Sequence, residues 1–161
     1  MIFVGALPAF EENFANLPAL RAPTPHLVHA VTSNSAPWLY TALSQIENRE
    51  GTGELLVGVG DLRVNHAAAD AARTAILAIA SRDLPTPAIC AVSGGGLGIT
   101  WGVGDRRLEF TVYPDQEVTY TTIRGQNIQR AGDVISVDEQ GAMRLDDPRD
   151  LGQQLRWLMG E

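Results

Sequence analysis

The sequence predicts an α+β fold in which an antiparallel β-meander packs against two or three helices. Three observations carry that prediction. Apolar residues recur at helical spacing in two stretches before residue 84 and again near the end of the chain. From Ala88 the period changes to two, and turn residues then separate successive alternating runs. At 161 residues, with 45% hydrophobic and 19% charged residues, the chain resembles a packed globular protein rather than a disordered one. The expectation is one domain over residues 1–161, with residues 1–83 helical or irregular and residues 84–161 forming the meander and a terminal helix.

Taken in order, Ile2 to Ala6 reads as a short strand, followed by an irregular stretch punctuated by Pro8, Pro18, Pro23 and Pro25. Ser35 as cap, Pro37 in the first turn, and Leu39, Leu43 and Ile46 one turn apart predict a helix near 36–48. Glu54 to Val59 is a short β-like run closed by Gly58 and Gly60. Asn65 opens the clearest helix, with Ala69, Ala72, Ile76 and Ile79 on one face, and that helix should end near Ser81. The Leu84-Pro85-Thr86-Pro87 exit is extended.

In the meander, Leu97, Ile99 and Trp101 alternate with Gly98, Thr100 and Gly102, and Leu108, Phe110 and Val112 alternate with Glu109, Thr111 and Tyr113. Val118 and Tyr120 continue the pattern. Turns are expected at Gly94 to Gly96, Gly102 to Arg106 and Pro114 to Gln116, and a further strand pair near Val134–Val137 and Ala142–Leu145. Asp147 as cap, Pro148 behind it, and the stripe of Leu151, Leu155 and Leu158 predict the terminal helix.

The stretches Leu84-Pro85-Thr86-Pro87, Gly95 to Trp101, and Arg107 to Asp115 together resemble a widespread group of uncharacterised bacterial proteins. These share a Pro-x-Pro exit from a helix, a glycine-led strand ending in Trp, a strand ending in Pro-Asp, and a leucine-rich terminal helix. The resemblance spans the C-terminal half and implies a fold but no activity.

The composition also narrows the chemistry. All 12 basic residues are arginine, against 19 acidic ones, for a formal net charge of −7. Without lysine there is no Schiff-base lysine and no phosphate-loop lysine. Arginines scattered along an acidic chain do not suggest a nucleic-acid footprint, which needs clustered cations. The single Cys90 forms no internal disulfide and reads as a small buried apolar residue, consistent with a reducing, cytoplasmic setting. No signal peptide and no membrane-spanning run is read.

Gly94 to Gly98 leads into a strand and therefore reads as a hairpin turn, not a dinucleotide loop. Gly58-Val59-Gly60-Asp61, followed by His66, is the better-placed ligand loop. His26, His29 and His66 are the only imidazoles, and no spacing makes them a metal set, so neither a metal nor a cofactor is expected. Ser93 lacks the context of a nucleophile elbow.

Four residues stand out as interface candidates. Glu109, Tyr113 and Glu117 make an acidic, aromatic-edged outer face, and Trp157 falls off the leucine stripe of the last helix. The leading expectation is a non-enzymatic protein-binding module of the antitoxin or immunity type, with a basic protein partner and neither nucleic acid nor membrane. The alternatives are a small enzyme or ligand-binding domain with its site near Gly58 to Asp61 and His66, and a structural subunit of a homo-oligomer.

Overall fold

The computed structural model describes residues 37–50, 55–56, 60–61 and 63–161. The expected strand at Ile2 to Ala6, His26, His29, and Gly58 with Val59 lie outside the described residues. Elements follow the chain as α1 (Pro37–Arg49), β1 (Leu55–Leu56), β2 (Gly60–Asp61), α2 (His66–Ala78), β3 (Ala88–Val92), β4 (Gly96–Val103), β5 (Arg106–Val112), β6 (Val118–Arg124), β7 (Asn127–Val137), β8 (Met143–Leu145) and α3 (Pro148–Met159). The α+β reading holds.

Strands β3 to β8 form one open antiparallel sheet whose spatial order is their order in the chain. Alternation divides its faces. Leu97, Ile99, Trp101, Leu108, Phe110, Val112, Val118 and Tyr120 point to the buried side. The three described helices cover that side: Trp38 of α1 meets Trp101 edge-on at 6.0 Å, α2 crosses β4 to β8, and α3 lies against β4 and β5. The two rims, β3 and β8, are five and three residues long, which limits the unpaired backbone they present.

Helix α2 is alanine-rich, with Ala68, Ala69, Ala71, Ala72 and Ala75 fully buried, so its backbone approaches the sheet closely. Its start is fixed twice. The Asn65 side chain accepts from the Ala67 N–H at 2.7 Å, and the Asn65 N–H donates to the Gly95 carbonyl at 2.9 Å. The Gly94-Gly95 pair has positive φ at both positions, which closes the β3–β4 hairpin as the sequence indicates. The helix stops at Ala78, three residues earlier than Ser81, and a tighter turn continues to Arg82.

Helix α3 is tied at both ends. Asp147 accepts from the N–H groups of Arg149 and Asp150, and Gly160, with φ 83°, closes the other end. There Arg106 of β5 donates to the Trp157 carbonyl at 3.2 Å and lies 5.9 Å from the Trp157 ring centroid.

Two expectations need correcting. Strand β7 begins at Asn127, seven residues before Val134, and pairs with β6 around the Gly125 turn. Cys90 is exposed: Ile89 takes the inward position, and period-two alternation turns its neighbour outward.

Candidate functional site

The face of the sheet turned away from the helices is covered by no described element. The antiparallel register sets Thr100 beside Glu109 and Glu109 beside Thr121, and one step along sets Thr111 beside Thr119 and Thr119 beside Asp133. The result is a shallow polar surface of small side chains with carboxylates at intervals. At the end nearest the β5–β6 turn, Tyr113 is 42% exposed, and Asp115 and Glu117 are exposed beside it. The turn is held by the Tyr113 N–H donating to the Glu117 carbonyl at 2.9 Å and by the Asp115 carboxylate accepting from the Glu117 N–H at 3.1 Å.

The structure thus brings together Glu109, Tyr113 and Glu117 of the expected interface. Glu109 is only loosely engaged, with Arg107 at 3.7 Å. An exposed pair of that length contributes little. Trp157 is not part of this surface. It is half-buried in the helix layer on the opposite side, beneath the Arg106 guanidinium.

Sequence reasoning missed a second cluster. Glu50, at the end of α1, forms a backbone bridge with Val64, so the chain returns beside it two residues before His66. The His66 Nδ1 then lies 2.5 Å from one Glu50 oxygen, and Arg73 of α2 contacts the other. Arg73 also pairs with Asp70 at 3.0 Å, one helical turn away. Burial pushes the Glu50 carboxyl up, but the hydrogen bonds and charges of Arg73 and His66 outweigh it and hold the group below its ordinary value. Burial pushes Asp70 up, and the attraction of Arg73 does not undo it.

A carboxyl held below its unfolded value adds stability that is fully present above the unfolded value and is lost as pH falls through the folded one. Glu50 therefore makes the fold acid-sensitive below the ordinary carboxylate range. In an NMR titration of side-chain carboxyls, Glu50 will show a midpoint below that of a free glutamate, and Arg73→Met will raise it. Equal midpoints in the two proteins would refute this account. Among the described residues no group of three or more His, Cys, Asp or Glu side chains gathers as a metal site.

A third cluster joins the sheet to α3. The Tyr120 hydroxyl donates to Asp150, Arg130 pairs with the other Asp150 oxygen at 2.9 Å, and Gln154 donates to that oxygen at 3.1 Å. Burial first, then the bond to the Asp150 carboxylate, pushes the phenol up, with Arg130 opposing. The phenol therefore stays protonated and acts as a donor. Beside this network opens a cleft of about 510 Å3 lined by arginines of α3, β7 and the segment after α2. Comparison of the chain with protein-family models, with curated proteins and with solved structures returns no match.

Proposed function

We propose that the chain is a non-enzymatic protein-binding module of the antitoxin or immunity type, which docks a basic segment of its partner on the outer face of the sheet. One observation carries the reading. A sheet face free of any described covering element carries Glu109 and Asp133, with the exposed Tyr113 and Glu117 at its β5–β6 end. Arginine side chains from a partner would find carboxylates that are weakly paired or exposed, together with an aromatic face to stack on. The threonines between them are small enough to let a partner backbone approach.

The test is capture from the native host with the full chain and with a Glu109→Arg, Tyr113→Ala, Glu117→Arg variant of equal thermal stability. The expected result is a basic protein retained by the unaltered chain, released by high salt and absent from the variant. For a regulator of the antitoxin or immunity type, that protein expressed alone arrests growth, and the chain relieves the arrest. Identical capture by both forms would refute the reading.

A second reading, a small-ligand or enzymatic site beside His66, has one observation in its favour: an exposed imidazole held by a carboxylate. Under that reading a ligand stabilises the chain in a way that His66→Ala abolishes.

A further inference from the structure

The arginines that look scattered in the sequence are gathered in space. Four of the twelve, Arg82, Arg130, Arg149 and Arg156, line the cleft at the start of α3. Helical spacing accounts for two of them. Arg149 and Arg156 are seven residues apart, two turns along one face, with Gly152 between them. The glycine leaves a gap into which Arg82 reaches from the segment after α2. A Cβ at position 152 would lie 3.6 Å from an Nη of Arg82 and 3.8 Å from an Nη of Arg156.

The two lining carboxylates have other roles, one in an ion pair and one as a helix cap. Asp150 serves Arg130, Tyr120 and Gln154, and Asp147 accepts from the backbone N–H groups of Arg149 and Asp150. Among the described residues none pairs with Arg82, Arg149 or Arg156. Three guanidinium groups with no ion-pair partner among the described residues therefore face one polar cleft, in which Asp147 is the one carboxylate not already paired with a cation, on a chain of net charge −7. Such an arrangement carries mutual repulsion that an anion relieves. Since Asp147 already takes the helix amides, side chains alone must hold the ligand.

We propose that this cleft binds a small ligand carrying two adjacent oxyanion groups, of which a diphosphate is the simplest. One group would sit over Gly152 between Arg82 and Arg156, and the other near Arg149 at the helix start. The planar guanidinium fork matches the oxygen spacing of phosphoryl and carboxylate groups alike. The cleft volume of about 510 Å3 lies within the usual range of small-molecule sites.

The test titrates the full chain with pyrophosphate and, separately, with citrate at constant ionic strength, reading amide shifts by NMR. The expected result is saturable binding of pyrophosphate that weakens at least tenfold in Arg82→Gln and in Arg156→Gln. Gly152→Glu, which places a carboxylate between those two arginines, will weaken it similarly while leaving the helical circular dichroism unchanged. Should an Arg82 or Arg156 variant fail to fold, the exposed Arg149→Gln serves in its place. Saturation by citrate as well assigns the site to dioxyanions in general, and saturation by pyrophosphate alone assigns it to phosphoryl groups. Non-saturating shifts with both ligands, or undiminished affinity in the arginine variants, would overturn the proposal.

Discussion

Replacing Trp101 by alanine will destabilise the protein by about 3–5 kcal/mol, the range for removing a buried aromatic side chain. Against a total stability of about 5–15 kcal/mol for a domain, much of the population will unfold at physiological temperature. The ring is fully buried, 5.0 Å from Phe110 and 6.0 Å from Trp38, so it joins the middle of the sheet to α1. A conservative change separates packing from hydrogen bonding. The Trp38 Nε1 donates to the Arg82 carbonyl at 2.9 Å, whereas the Trp101 Nε1 is buried with no partner among the described residues. Trp→Phe removes similar volume at both positions, but only Trp38→Phe breaks a bond. Trp38→Phe should therefore cost about 1 kcal/mol more than Trp101→Phe. Urea denaturation of the two variants measures the difference, and the reverse order would refute it.

Gly96→Ala will destabilise by about 3 kcal/mol, at the upper end of the ordinary overpacking range. A Cβ at this position would lie 2.4 Å from the Val112 carbonyl oxygen and 3.0 Å from a Val92 methyl. The obstruction is backbone of the neighbouring strand, so rotamer changes cannot relieve it. Gly102, in the same strand, provides the control. Nothing lies within 4 Å of its Cβ position, and Gly102→Ala should change stability by less than about 0.5 kcal/mol. Thermal or urea unfolding that fails to separate the two would show that the hairpin accommodates the extra methyl.

The sequence reveals this fold wherever one face of an element is buried. Leu97-Ile99-Trp101 and Leu108-Phe110-Val112 alternate cleanly because the helices lie on one side only, and Asp147-Pro148 marks the start of α3 within a residue. It hides β7, because Asn127 to Ala131 are exposed at every position, so no alternation is imposed on them. Cys90 misleads because a small residue amid Ile89, Ala91 and Val92 carries no sign of which way it points.

The candidate sites divide in the same way. Glu109 lies in β5 and Tyr113 and Glu117 flank the β5–β6 turn, and their shared side follows from the local period of the two strands. The Glu50, His66 and Arg73 cluster depends on the return of the chain after α1, and the arginine cleft joins residues 82 and 130 to the Arg149 and Arg156 pair of α3, from three places in the sequence. Local spacing aligns Arg149 with Arg156 but does not encode the meetings between elements.

The strand order of the main sheet bears on how the protein is made. Each rung from β3 onward emerges from the ribosome next to the rung it pairs with, so the ladder is built from hairpins, the contacts that form fastest. Helix α3, 12 residues long, leaves the tunnel after β3 to β8 have emerged. Until then the sheet lacks the cover that Leu151, Leu155 and Leu158 supply, and the nascent chain carries a greasy surface that α3 must reach before a chaperone or another chain does.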